Sequence, residues 1–313
     1  PKLRAWLKLG GAEEQLKGAG ELWVHTRKPL PGAGDWTHQY GVPDNSACNY
    51  DQRVGGKLKV QWWGRPGPRA MPDRGPRNPA PVSANGRLFV QGLRILFGVD
   101  AYNGTILWSK QIPTMRRANM PRGSSNMVAT ADILYVALQS QCAGFDTQTG
   151  KLVMKAALPT SAEDDLEWGY LAASGDNLVG STTRKGGNYL GDGGQWFENF
   201  KKEETAKVVS DGLFVLDRKT GEKRWSREQG VVINSTITVS GGIVYFVESR
   251  NPAAKKSRQG RLQNEIRTDQ YIVALNLDSG SFLWEKKADF SNCEFTTYMS
   301  HHGDTLLVAG TDK

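Results

Sequence analysis

Leu216-Asp217-Arg218-Lys219-Thr220-Gly221-Glu222-Lys223-Arg224-Trp225 is the stretch that decides the fold, because three other segments repeat it. They are Val-Asp100-Ala-Tyr-Asn-Gly104-Thr-Ile-Leu-Trp108, Phe-Asp146-Thr-Gln-Thr-Gly150-Lys-Leu-Val-Met154 and Leu-Asn276-Leu-Asp-Ser-Gly280-Ser-Phe-Leu-Trp284. Each follows a β-rich run, and each places an aromatic or apolar residue four positions after the glycine. One copy has Met154 for tryptophan, and another has Asn276 for aspartate. The chemistry is that of a tight turn between two strands: Asp or Asn caps the turn, and glycine takes the positive φ that other residues avoid. The tryptophan then begins a fourth strand and is placed to stack on a neighbouring sheet.

Working outward, a second turn followed by an apolar strand precedes each copy: Asn85-Gly86, Asp132, Asp176 and Gly242, with Asp304 opening the same pattern again near the end. Each unit therefore reads strand, turn, strand, strand, turn, strand, which is a propeller blade. Trp108 to Met154 spans 46 residues and Trp225 to Trp284 spans 59; the longer interval from Met154 to Trp225 holds an insertion over about 185–207. A shorter insertion, Asn251 to Glu265, is basic and polar, and such inserts project from one face as loops. A sandwich or barrel of ordinary hairpins is the competing fold, and in-register copies of a two-turn unit argue against it.

Composition agrees. Thirty-six glycines and 14 prolines without a collagen period suit many short strands with tight turns, and 10 tryptophans suit a fold that fills gaps between blades with rings. The formal charge is +8. Arg65, Arg69, Arg74 and Arg77 form one basic cluster and Arg116, Arg117 and Arg122 another, readable either as a solvated surface or as attraction for an anionic partner. No nucleic-acid-binding motif accompanies the charge. Cys48, Cys142 and Cys293 lie far apart, without the spacing of a zinc site, a c-type haem or a disulfide scaffold; one disulfide with one free thiol stays open. No apolar run approaches the ~20 residues of a membrane span.

The repeat resembles that of the pyrroloquinoline-quinone (PQQ) enzymes and their non-catalytic relatives, such as the outer-membrane assembly propeller of bacteria. Asp35-Trp36-x-x-x-Tyr40-Gly41, Asp44-Asn45-Ser46 and Leu58-x-Val60-x-Trp62-Trp63 look like the opening segment of those propellers, which supplies the outermost strand of the last blade. The resemblance implies an all-β, quinoprotein-type propeller over 35–313. Seven or eight blades are expected in the full length, each missing one needing ~45 residues, so the sequence reads as incomplete. Residues 1–34 do not fit the repeat. Arg4–Leu9 reads as a helix and Glu21–Arg27 as a strand, similar to the tail of an S-adenosylmethionine-dependent methyltransferase domain, so 1–34 is expected to be the tail of a preceding α/β domain or a linker.

In a propeller the innermost strand of each blade lines the central channel. Counting eight residues back from the aligned turns gives Asn78, Ser124, Trp168, Asn234 and Thr296; two further on come Asn126, Tyr170 and Tyr298, among others. This polar and aromatic ring suits a flat polar ligand, and Arg116, Arg117 and Arg122 on a link crossing the same face suit a polycarboxylate such as PQQ. The other reading is that these residues solvate one another. Asp100, Gly104, Trp108, Asp146, Gly150, Asp217, Gly221, Trp225, Gly280 and Trp284 are the expected blade-docking residues.

The resemblance to active quinoprotein dehydrogenases stops at their adjacent-cysteine disulfide, which is absent, and at their calcium ligands and catalytic aspartate, which find no match. Glu167, Glu294 and Asp304 lie near inner strands without assembling a calcium ligand set. His301-His302 falls just before a turn, where a structural role is expected rather than a metal, and His25 and His38 are isolated. Trp196, Phe197 and Phe200 in the glycine-rich insertion read as an anchor, a lid or a partner patch. Two functions follow. One is a non-catalytic scaffold binding a protein, glycan or small ligand at its loop-rich face; the alternative is a PQQ-dependent oxidoreductase with calcium and the quinone in the central channel. No catalytic residue and no metal ligand is assigned. The family implies an extracytoplasmic location, the bacterial periplasm or the cell surface.

Overall fold

The computed structural model describes residues 30–64, 80–92, 94–115, 126–160, 166–187 and 206–311, together with the backbone of Lys17–Ala19, Leu22–Val24, Arg117–Asn119 and Tyr189–Gly191. The chain divides into two compact units, Pro1–Gly34 with Tyr50–Gly55, and Asp35–Asn49 with Gly56–Lys313. In the first, Lys17–Ala19 and Leu22–Val24 pair antiparallel. Asp51 accepts from the backbone N–H groups of Gly34, Arg53 and Val54, which hold its carboxyl below the usual range. The helix expected at 4–9 lies outside the described residues.

Among its described residues the second unit is a β-propeller of four four-stranded blades and one hairpin of a fifth. The blades run from inner to outer strand as follows. The first is Val82–Ala84, Arg87–Gln91, Ile95–Asp100 and Ile106–Gln111; the second is Met127–Ala129, Ile133–Leu138, Gln141–Asp146 and Leu152–Ala157. The third is Leu166–Ser174, Asn177–Arg184, Lys207–Asp217 and Lys223–Arg227; the fourth is Thr238–Ser240, Ile243–Ser249, Gln270–Asn276 and Phe282–Ala288. Thr296–His302 and Thr305–Thr311 pair as the first hairpin of the fifth. Every neighbouring pair within a blade is antiparallel, as short turns require.

The turn chemistry recurs in all four complete blades. Oδ1 of Asp100, Asp146, Asp217 and Asn276 accepts from two backbone N–H groups of its own turn, the first and last at 2.8–3.2 Å. Gly104, Gly150, Gly221 and Gly280 follow with φ of 66–77°. The next residue along, Ala101, Thr147, Arg218 or Leu277, donates its N–H to Gly86, Asp132, Asp176 or Gly242, tying the outer turn to the inner one. Each outer strand starts two residues before the aromatic position and carries a bulge there, so that Trp108, Met154, Trp225 and Trp284 face Gly98, Gly144, Val215 and Ala274.

That bulge aims the indole at the next blade. Trp108 Nε1 donates to the Thr147 carbonyl at 3.0 Å, and a Cβ on Gly150 would come within 2.7 Å of the ring. Trp225 repeats this on the fourth blade, donating to Leu277 O at 2.8 Å over Gly280. Trp62 does the same on the first blade, donating to Ala101 O at 2.9 Å over Gly104. Met154 has no such donor; at its interface the outer strand itself approaches, with Ala156 Cβ 3.2 Å and Lys155 O 3.3 Å from where a Gly221 Cβ would stand. Trp284 has the same register but is 40% exposed, resting near Tyr245 with ring centroids 6.0 Å apart. Apolar clusters fill the gaps between successive blades, for example Phe89, Leu96 and Trp108 with Leu134 and Phe145. Each such side chain contributes about 1.5–3 kcal/mol on burial.

Two expectations are corrected. Residues 51–64 form no strand: Leu58, Val60 and Trp63 are exposed, while Gln61 and Trp62 dock on the first blade through Tyr102 O and Ala101 O. Among the described residues no third strand lies beside them, so no ladder can form. Residues 36–45 do not lead into an outer strand either; they cross the inner edges of the blades. Both insertions start at the same end of the sheets, where the second strands finish at Arg184 and Ser249. Asn251 caps the short helix Pro252–Lys256, and Arg261–Leu262 pairs with Lys207–Val208. Trp196, Phe197 and Phe200 lie outside the described residues. No helix among the described residues is long and apolar enough to cross a membrane.

Candidate ligand-binding face

The inner strands meet a single crossing segment. Trp36 exchanges hydrogen bonds with Ser83 of the first blade, accepting from its N–H at 2.7 Å and donating to its Oγ at 3.1 Å. The Thr37 carbonyl accepts from Ala129 of the second, and His38 Nε2 from the N–H of Ala173 of the third at 3.1 Å. Pro43 and Asp44 carbonyls accept from Val239 of the fourth and His301 of the fifth, both at 2.9 Å. Asn45 Nδ2 then bridges the last two blades, reaching Ile237 O, Thr238 Oγ1 and Met299 O at 2.8–3.2 Å. Asn45 has φ 58°, a left-handed conformation that asparagine tolerates better than most residues.

His38 is therefore the opposite of isolated. Burial holds its imidazole well below the usual value, at about 3, with Asp44 opposing. With Nε2 accepting, Nδ1 carries the proton and donates to Thr37 Oγ1 at 2.7 Å. Burial likewise raises the phenols of Tyr40, Tyr170 and Tyr298, so all three stay neutral. Tyr40 packs edge-on against Tyr298 at 5.2 Å, and Tyr298 OH donates to the Asn45 carbonyl at 2.8 Å.

The remaining ring positions are also engaged. Asn126 Nδ2 donates to Gln91 Oε1 at 2.6 Å. Asn234 sits in a 3-10 turn, not a strand, because the inner strand of the fourth blade breaks between Ile233 and Thr238. Its Oδ1 accepts from Ser210 Oγ at 2.7 Å, its Nδ2 donates to Thr183 Oγ1 at 3.0 Å, and Ser181 joins the same buried group. Tyr170 N–H donates to Ser181 Oγ at 2.8 Å. Trp168 is 1% exposed, with its ring edge-on to Phe214 at 4.8 Å in the core between the second and third blades, and a register shift follows it. Thr296 and Tyr298 are half-buried. Asn78, Ser124, Arg116 and Arg122 lie outside the described residues, as does the Arg117 side chain, whose backbone pairs with Tyr189–Gly191.

A quinone with its calcium ion needs a flat slot and a converging set of oxygen ligands. Among the described residues no three His, Cys, Asp or Glu side chains converge on one point. A Cβ on Gly169 would stand 1.8 Å from Thr183 Oγ1, so the polar group around Asn234 is closely packed. The described ring residues bond to one another. His301 stacks on Tyr245 at 5.3 Å, Glu294 pairs with Arg267 at 3.4 Å and Asp304 is exposed. No disulfide joins Cys48, Cys142 and Cys293.

Open space lies instead at the loop-bearing end of the third and fourth blades. A cavity of about 640 Å³ is lined by Arg184, Lys185, Asp211, Glu228, Lys255 and Arg258, among others. Arg184 is buried and locked: Nε donates to both Asp211 oxygens at 2.8 and 3.0 Å, Nη2 also bonds Asp211, and Nη1 donates to Ala254 O at 3.2 Å. That last bond pins the Pro252–Lys256 helix over the cavity. None of these residues was singled out in the sequence. The available signal was that both insertions leave the chain at the same point of the blade, after the second strand, so that Arg184 and Lys255 had to meet.

The fold is that of a β-propeller. Residues 59–190 match the repeat-family model described as outer membrane protein assembly factor BamB. No curated protein matches the sequence. Among solved structures, the quinohemoprotein alcohol dehydrogenase ADHIIG from Pseudomonas putida HK5 is similar over 88% of this chain and 44% of its own, at 11% identity and a TM-score of 0.52. The quinohemoprotein alcohol dehydrogenase from Comamonas testosteroni is similar over 70% and 36%, at 14% identity and a TM-score of 0.46. BamB from Moraxella catarrhalis is similar over 72% and 65%, at 15% identity and a TM-score of 0.38. The chain thus spans less than half the length of the first of these, and the likeness concerns the fold.

Proposed function

We propose that this chain acts as a binding propeller without catalysis of its own, a rigid scaffold that takes a protein, glycan or small ligand at its loop-rich face. The observation that carries this reading is the segment 36–45, whose backbone and side chains occupy the inner edges of five successive blades. With the Asn234 group closed on itself, the described inner strands leave no converging ligand set for a redox cofactor. Recognition then falls to the loops, where the cavity lies. An extracytoplasmic location, the bacterial periplasm or the cell surface, belongs to the same reading and draws on the family match to an outer membrane assembly factor.

The test is reconstitution of the protein with PQQ and calcium, followed by quinone absorbance after desalting and by dye-linked alcohol oxidation. The scaffold reading expects neither retained quinone nor turnover. Stoichiometric quinone with turnover would replace it by the oxidoreductase reading.

A further inference from the structure

We infer that the Asn85-Gly86 turn is a modification site, at which Asn85 converts without an enzyme to aspartate and isoaspartate, and that this conversion loosens the first anchor of the crossing segment. The chain contains two Asn-Gly pairs, Asn85-Gly86 and Asn103-Gly104, both in turns of the first blade, and both asparagines are exposed. Glycine after asparagine leaves the following backbone nitrogen open to the side chain, because no Cβ stands in the way. That nitrogen, giving its proton to hydroxide, bonds to Cγ; the Cγ–Nδ2 bond breaks and the amide nitrogen leaves as ammonia. Water then opens the cyclic imide at one or other carbonyl, yielding aspartate or isoaspartate.

The fold separates the two pairs. At Asn103 both reacting groups are held: Oδ1 accepts from the Thr105 N–H at 2.8 Å, and the Gly104 N–H donates to Asp100 O at 2.9 Å. Among the described residues neither the Asn85 side chain nor the Gly86 N–H makes a hydrogen bond. The place of Asn85 gives its conversion a consequence. Its backbone N–H donates to both Asp35 oxygens, at 3.1 and 3.2 Å, and the residue after Asp35 is Trp36, which exchanges hydrogen bonds with Ser83. Conversion sets a second carboxylate beside Asp35, and like charges repel. Isoaspartate also lengthens the main chain by a CH₂ inside a two-residue turn, whose length fixes Ala84 opposite Arg87. Both changes draw Asp35 and Trp36 away from the inner strand.

The experiment is ageing of the whole chain at mildly alkaline pH, followed by peptide mapping in the mass spectrometer and by amide hydrogen exchange at Ser83. The chain unfolded in urea is the reference, and Asn85→Gly is the control. Glycine suits the positive φ of this turn and has no side-chain amide to lose. In the fold, Asn85 should convert about tenfold or more faster than Asn103, where two hydrogen bonds must first be released, and in urea the two rates should converge. The Ser83 amide should then exchange faster in the aged wild type than in fresh protein, and aged Asn85→Gly should show no such change. Conversion at Asn103 as fast as at Asn85 in the fold, or an Asn85 that stays intact while its unfolded counterpart reacts, would overturn the inference. So would an aged wild type whose Ser83 exchange is unchanged, or is matched by aged Asn85→Gly.

Discussion

Placing alanine at Gly150 probes the joint between the first two blades. Gly150 has φ 66°, and an added Cβ would lie 2.7 Å from Cδ2 and Cε3 of Trp108. The left-handed backbone costs an alanine about 1–2 kcal/mol, and the forced displacement of a packed ring about 1–3 kcal/mol more. Gly175 separates the two effects. Its φ is 57°, but a Cβ there would meet nothing within 4 Å, so Gly175→Ala should cost only the backbone share. Trp108→Ala should cost about 3–5 kcal/mol, because it empties a nearly closed site and leaves the Thr147 carbonyl without its donor. In that background Gly150→Ala should fall to the Gly175→Ala value. The double-mutant cycle therefore has a coupling of about 1–3 kcal/mol, measurable by urea unfolding followed in the far ultraviolet, provided the m-values agree. Equal costs for Gly150→Ala and Gly175→Ala in the wild type, or coupling below about 0.5 kcal/mol, would refute indole-on-glycine docking as the joint.

His38 should make the protein acid-sensitive. It titrates near 6.5 when unfolded but is held neutral down to about 3 in the fold, so its contribution is whole above pH 6.5 and is lost as pH falls towards 3. Relative to His38→Gln, wild-type stability should fall by about 1.4 kcal/mol per pH unit between pH 6 and 4; parallel profiles in urea titrations would count against it. Glu248 is 1% exposed and bound to Arg250 at 2.8 Å and Arg227 at 3.4 Å. Glu248→Gln should cost about 2–3 kcal/mol, with little dependence on salt because the group is buried; a loss that vanishes in 0.5 M salt, about five times the ionic strength at which screening reaches 10 Å, would mean a surface pair.

The blades were legible because their signal is local. Asp100, Gly104 and Trp108 lie within one turn and one strand start, and their roles follow from backbone φ and a bulge that short-range chemistry dictates. The tie from Ala101, Thr147, Arg218 and Leu277 to the inner turn holds the two turns of each blade in the same relation. The central segment was not legible. Trp36 to Asn45 carries no periodicity, and its bonds to Ser83, Ala173, Val239 and Met299 span 47 to 254 residues, which a repeat pattern does not encode. Counting eight residues back assumed uniform inner strands. It failed to foresee the shift after Trp168 and the 3-10 turn at Asn234, where buried side chains bond to one another and override the pattern. The cavity depends on two insertions meeting in space, and only the register of their starting points hinted at it.

Amide hydrogen exchange at the inner strands reads the filled centre directly. Ala129, Ala173, Val239 and His301 donate to the 36–45 segment, so their amides should exchange as slowly as those of interior strands such as Tyr271–Leu275. Exchange at these four positions as fast as in the exposed Gly241–Gly242 turn would mean an open channel, and the binding-scaffold account would lose its physical basis.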